Sequence, residues 1–319
     1  VVGVVMNSDG IPLAHEVFSG NKNDVTCFKE VIESLIARFD IKKVILVGDR
    51  GMISIKNLSF LEDFGLEYIL GFRMRTIKKE SRKEIFSKVD LTRLRGLKGL
   101  QAKEAEYNGR RIIVYYDEER SKLDKDHRES ILEELKEKTK NGTIQSIVTN
   151  QNYRRYLDIE GKDPKLSKKK IKMDELYDGV FILATNTKLS SNQIVKSYRN
   201  LWHVEQGFRW LKNELEMGPI YHYKDRRIQA HIMICFLALI LKCWPNKYLK
   251  KLNKDISYPE TLYSLKRLKV VEMELGSKQV LITTKIESEA KKAFSAIKMR
   301  PPEKFVFNEC FNTTVVENI

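Results

Sequence analysis

Six residues in this chain have types and spacings that could do chemistry on a phosphodiester. Asp49 follows the short apolar run Val44–Val47, the pattern of a strand covered on both faces. A carboxylate just past the carboxyl end of such a strand stands where ligands gather in open α/β sheets. Its structural alternative is a cap for the segment that follows. Tyr198, Trp202, Glu205, Arg209 and Lys212 recur every three or four residues, so on a helix they form one stripe. A strand carboxylate and a helix carboxylate can together hold a divalent metal. Mg²⁺ favours a few carboxylates plus water and substrate phosphate. Metals held this way activate an attacking oxygen and stabilise a leaving one. Lys212 could hold a phosphate, and Tyr198 and Trp202 could pack on a sugar or stack on a base. The plain alternative for the stripe is a solvated face with an i,i+4 Glu205–Arg209 pair.

The element that must position this stripe is Ser190–Glu216, which reads as one long helix. Ser190 and Gln193 make a capping box at its start. Gly218-Pro219 is expected to stop it. Leu201, Val204, Phe208, Leu211 and Leu215 form its buried stripe, with Glu205 at the edge. Asp49 is positioned by a strand that follows a helix with core face Phe28, Val31, Ile32, Leu35, Ile36 and Phe39, capped by Asn23 or Asp24. A helix from about Ser54 to Phe64 and a buried strand, Tyr68–Phe72, come next. Val1–Asn7 and Pro12–Ser19 form a hairpin around Ser8-Asp9-Gly10.

From residue 74 the chain turns rich in charge. Asn108-Gly109 joins two strands in a tight hairpin. Residues 118–140 read as an exposed helix, and 161–171 as a basic loop open to solvent or nucleic acid. Core-strand character returns at 178–186. A helix begins at 224–227, and its apolar run Ile232–Leu241 is too short to span a bilayer and reads as buried. Another helix and two strands, Val270–Leu275 and Gln279–Thr284, follow. The expected layout is a first half of the core at 1–73, an insertion at 74–177, a second half at 178–250 and an extension at 251–319.

The formal net charge of +15, from 58 Lys+Arg against 43 Asp+Glu, favours a polyanionic partner. The four cysteines are far apart and lack a CxxC, which fits a reducing cytosol better than a disulfide framework or zinc site. Val1 falls straight into the apolar run VVGVV with no signal-peptide pattern, and the natural beginning is expected to lie upstream. His203 and His231 fit packing or surface roles. No GxxxxGK[ST], strand-linked GxGxxG or GxSxG is present.

Tyr198, Glu205 and Lys212, at spacings of seven and seven, resemble the Tyr-Arg-Glu-Lys signature of insertion-sequence transposases of the DDE type. YRNLWHVEQGFRWLK, VILVGDRGM, DGVFILATNT and RIQAHIMICFLALIL are all similar to that family's text. The resemblance implies an α/β fold: a ribonuclease H-like mixed sheet flanked by helices and interrupted by an α+β insertion before the last catalytic helix. It implies Asp49 and Glu205 as metal ligands and catalytic residues, with Mg²⁺ (or Mn²⁺ in its place) as cofactor. It implies DNA contact by Tyr198 and Lys212, to which Trp202 and Arg209 are added here. The implied partners are double-stranded DNA, as terminal inverted repeats and target, and a second copy when synapsed; no membrane is implied. The implied setting is the prokaryotic cytoplasm, at the nucleoid.

Two positions depart from the family pattern. Leu201 stands where the signature has Arg, with Arg199 or Arg209 as substitutes. The first catalytic Asp belongs on a strand preceding Val1, since Asp9 lies in a turn; the expectation is an N-terminally truncated transposase lacking that ligand. Such a chain could alternatively be an inactive DNA-binding remnant or repressor of its parent element, or a nuclease of the same fold with another role.

Overall fold

The computed structural model describes residues 1–22, 24–38, 44–52, 55–140, 150–160, 163–252, 258–275 and 278–309. Asn23, Ser54 and Cys310 lie outside the described residues. The strands are β1 (Val2–Met6), β2 (Pro12–Val17), β3 (Ile45–Gly48), β4 (Glu67–Gly71), β5 (Thr92–Arg93), β6 (Leu100–Tyr107), β7 (Arg110–Asp117), β8 (Leu157–Glu160), β9 (Asp163–Leu166), β10 (Val180–Thr185), β11 (Val270–Leu275), β12 (Lys278–Thr283) and β13 (Phe305–Glu309). The helices are α1 (Asp24–Arg38), α2 (Ile55–Asp63), α3 (Lys79–Ile85), α4 (Glu118–Lys140), α5 (Gln151–Arg154), α6 (Lys168–Glu175), α7 (Ser191–Arg199), α8 (Trp202–Asn213), α9 (Asp225–Leu252), α10 (Tyr258–Lys266) and α11 (Ser288–Ala296).

By compactness the chain divides into two units. One comprises Val1–Gly3 and Phe18–Trp202; the other comprises Val4–Val17 and His203–Ile319.

The first unit is built on a six-stranded mixed sheet in the order β3-β4-β10-β7-β6-β5, the ribonuclease H-like sheet expected. Strands β3 and β4 are parallel, whereas β10 runs antiparallel to both β4 and β7. The Asn108-Gly109 hairpin forms as read: both residues have positive φ, 52° and 70°, which a two-residue primed turn requires. Its register runs from Tyr107↔Arg110 to Leu100↔Asp117. The hairpin joins the main sheet, with β7 beside β10. Hydrogen-bond order across a sheet is not local in sequence, so the turn signal gave the pair and not its neighbour. At the end of β10, Thr185 and the next residue, Asn186, extend its grip on β4 through side chains: Thr185 Oγ1 donates to Tyr68 O (2.7 Å), and Asn186 Oδ1 accepts from Tyr68 N (2.8 Å).

One layer of core lies between the sheet and α7. Ile69, Ile113, Leu183, Ile194 and Val195 are completely buried there. A smaller cluster forms outside the sheet, where α4 packs on α5 and β8 through Ile131, Leu135, Tyr153, Tyr156 and Leu157. The basic loop expected at 161–171 is instead β9 followed by α6. Ser167 accepts from Lys170 N and so caps the Lys-rich run into a helix, and Lys170 Nζ reaches Leu157 O (2.5 Å).

In the second unit, α8 and α9 enclose Ile11, Leu211, Cys235, Leu239 and Cys243, with Met6, Phe208 and Leu215 against them. The apolar run of α9 is buried on one face only. Ile234 and Leu241 are 67% and 73% exposed, correcting the reading of that run as wholly buried. By length and composition the 25-residue stretch Asp225–Leu249 could cross a bilayer, but its buried face packs as in the core helix of a globular unit. Strands β11, β12 and β13 form an antiparallel sheet, and α10 packs on α11. Cys27, Cys235 and Cys243 are buried free thiols.

Candidate active site

The helix expected over Ser190–Glu216 is two helices. Its start is as read: the Ser190–Gln193 capping box is fully formed. The amide of Asn200 then divides between the carbonyls of Lys196 (3.3 Å) and Ser197 (3.2 Å), and Leu201 N returns to Tyr198 O (3.0 Å). These i→i+3 bonds tighten the last turn and end α7 at Arg199, before α8 begins at Trp202. The second helix also stops sooner, at Asn213. Leu215 N bonds Trp210 O (2.9 Å), a six-to-one closure, and Met217 N bonds Leu211 O (2.9 Å) past Glu216, which takes a left-handed conformation (φ 47°). Gly218-Pro219 therefore lies beyond the end and does not cause it.

The break divides the single stripe expected from the sequence. Tyr198 stays on α7 in the first unit and lies half-buried against the sheet. Its ring meets Tyr115 edge-on at 6.5 Å. Its hydroxyl donates to Asp49 Oδ1 (3.2 Å), joining residues 149 apart in sequence. Asp49 lies just past β3 and is exposed. Its Oδ1 also accepts from Arg50 N (2.7 Å), so part of the capping role weighed for it is real. Oδ2 has no hydrogen bond to the described residues.

Three features missed in the sequence hold this corner. Gly71, at the end of β4, has no side chain where a Cβ would lie 2.5 Å from Tyr198 Oη and 2.9 Å from Arg50 N. A glycine in an otherwise apolar strand was the available signal, since it marks a close approach. Next, Arg111 on β7 clamps the loop that leads into α7. It donates to Thr187 O (2.6 Å), to Leu189 O (3.0 Å) and through both arms to Glu104 (2.6 and 3.1 Å). Glu104 in turn accepts from Ser191 Oγ (2.8 Å), placing a carboxylate at the helix N-terminus, where the dipole favours it. The Arg111 guanidinium holds the Glu104 carboxyl below the usual carboxylate range, against a smaller opposing effect of burial. Finally, Arg199 binds Asp117 Oδ2 (2.9 Å) and so anchors the far end of α7 to β7. Nothing local announces these pairs.

Trp202, the last residue of the first unit, opens α8 and is exposed; in the second unit Glu205, Arg209 and Lys212 are exposed along the same helix. Glu205 and Arg209 make no ion pair with each other or with other described residues, so the i,i+4 pair weighed for them does not form. The opposite face carries Gly207, where a Cβ would meet the flexible end of Met6 at 2.3 Å, and Leu211, which is buried. The ring of His203 presses on Gly10, whose φ is +76°; a Cβ there would lie 2.7 Å from His203 Nδ1. Asp9 beside it pairs with Lys247 (2.7 Å), which gives this turn carboxylate a structural role. His231 Nε2 lies 3.1 Å from Met217 O, in keeping with a packing role.

Both carboxylates suit a divalent metal in their donor chemistry. Each offers oxygen, the hard ligand that Mg²⁺ prefers, and each has at least one oxygen not engaged by the described residues. No group of three His, Cys, Asp or Glu able to hold a metal occurs among the described residues.

No curated protein matches the chain. The family model described as "Transposase DDE domain" matches residues 2–241, which include the six-stranded sheet, Asp49 and all of α7 and α8. That match covers most of the chain and agrees with its mixed sheet flanked by helices; this protein belongs to the transposase DDE domain family.

Proposed function

We propose that this chain carries catalytic residues of a DNA transposase that cuts at the ends of its element and joins them to target DNA, with Asp49 and Glu205 as metal ligands. The observation that carries the reading is the state of Asp49: past the end of a central-sheet strand, one oxygen fixed by two donors and the other open. Family membership supports the reaction class, and DDE transposases generally use divalent metal ions. The metal assigned is Mg²⁺, with Mn²⁺ able to replace it.

When bound, the metal would polarise the scissile phosphodiester and its attacking oxygen. Asp49 and Glu205 would supply negative oxygen ligands to it. Lys212 and Arg209 would neutralise backbone phosphates, and Trp202 would stack on a base or sugar. Tyr198 would offer DNA its ring, because its hydroxyl is taken up by Asp49. Water attack at the element end would release a 3′-OH, and that hydroxyl would then attack a target phosphodiester, forming a new P–O bond as the target strand's 3′-oxygen leaves as a hydroxyl. The proposed partners are terminal inverted repeats, target DNA and a second copy in the synapse, in the cytoplasm of a prokaryote. The net charge of +15 supports the polyanionic partner.

Asp49→Ala or Glu205→Ala in the transposase is expected to abolish Mg²⁺-dependent end cleavage and leave end binding intact; cleavage by either variant refutes its assignment. Lys212→Ala is expected to weaken end binding and lower the salt slope by about one phosphate contact. An unchanged slope rejects that role.

A further inference from the structure

We infer that Tyr198 is a positioning residue for Asp49, and that Gly71 is the clearance that makes this possible. The inference rests on the reading of Asp49 as a metal ligand. An exposed aspartate presents two equivalent oxygens and turns freely about its last torsion. Here two donors converge on one of them: the amide of Arg50 at 2.7 Å and the hydroxyl of Tyr198 at 3.2 Å. With Oδ1 held twice, Oδ2 is the oxygen left to face a cation. A Cβ at position 71 would lie 2.5 Å from the hydroxyl and 2.9 Å from the amide, so it would displace the same two donors. The ring does not need the hydroxyl for its packing. It lies against the α7–sheet core and edge-on to Tyr115, and phenylalanine would fill that space equally well.

Partners that orient a ligating side chain typically change metal affinity by 10–100-fold when removed. The test is Mn²⁺ titration of the full chain by electron paramagnetic resonance, alongside thermal unfolding and metal-free duplex binding. Tyr198→Phe is expected to weaken Mn²⁺ binding by about 10-fold, with thermal stability unchanged. Gly71→Ala is expected to weaken it at least as much. Asp49→Asn serves as the reference and is expected to lose the site. Full Mn²⁺ affinity in Tyr198→Phe, with loss in Asp49→Asn, overturns the positioning role and leaves Asp49 a ligand. Full affinity in Asp49→Asn overturns the ligand reading itself. Weaker metal-free duplex binding in Tyr198→Phe, with Mn²⁺ affinity intact, would instead make the hydroxyl a DNA contact.

Discussion

Replacing Arg111 with alanine tests whether the Tyr198 helix is held from its N-terminal end. The guanidinium makes two bonds to main-chain carbonyls, Thr187 O at 2.6 Å and Leu189 O at 3.0 Å, and a two-armed pair with Glu104. Hydrogen bonds to a charged group contribute about 1.5–3 kcal/mol each. The Arg111 side chain is 29% exposed, so about half that range applies, and the two carbonyl bonds together give about 2 kcal/mol. The Glu104 carboxylate is 53% exposed and adds only about 0.5 kcal/mol. Arg111→Ala should therefore open the first turn of α7 about 30-fold more often, read as faster amide exchange at Ile194, whose N–H bonds Ser190 O. Glu104→Gln should raise that exchange only about twofold. The pH dependence follows from the direction of the Glu104 shift. Its carboxyl is depressed in the folded chain, so its contribution is present above the ordinary value of 4.5 and is lost as pH falls through the lower folded value. Glu104→Gln should flatten that acid limb. Equal exchange in wild type and Arg111→Ala would refute the clamp.

Two further substitutions test the packing around the site. Arg128→Met leaves Asp178 buried without its 2.5 Å partner and is expected to cost about 3–5 kcal/mol in chemical denaturation; replacing both residues with apolar ones should recover most of it. Gly10→Ala is expected to cost about 2 kcal/mol from its positive φ and the contact with His203, and His203→Ala should recover part of that loss. An additive double mutant would show that the ring is not what the methyl meets.

Much of the fold was legible because its signals are local. Asn108-Gly109 could make only a primed turn, Ser190 and Gln193 could satisfy each other, and the apolar runs at 68–71 and 180–185 lacked alternation because most of their residues are buried. The site was legible in part. Periodicity put Tyr198 and Glu205 on one stripe, but the tightened turn at Asn200 is a contest between i+3 and i+4 bonds that no residue there announces. The pairs Tyr198–Asp49 and Arg111–Leu189 depend on the sheet order, and so does the covered edge of β10. A pattern of 161–171 rich in lysine concealed a capped helix because charge says where a segment is solvated, not whether it is regular.

The sheet order also sets a schedule for synthesis. Strand β4 can pair with β3 once both have left the ribosome, since only a short helical stretch separates them. Its other edge waits for β10. At about 5–20 residues per second, the hundred-odd residues between Gly71 and Val180 take on the order of ten seconds to appear. During that time Tyr68, Ile69 and Leu70, all but inaccessible in the finished sheet, belong to an open strand edge. The β6–β7 hairpin is also made before β10, so β10 is the last strand to reach the sheet and takes the place between β4 and β7. The nascent chain thus passes through an interval in which an apolar edge is open to wrong partners, and the arrival of one six-residue strand ends it.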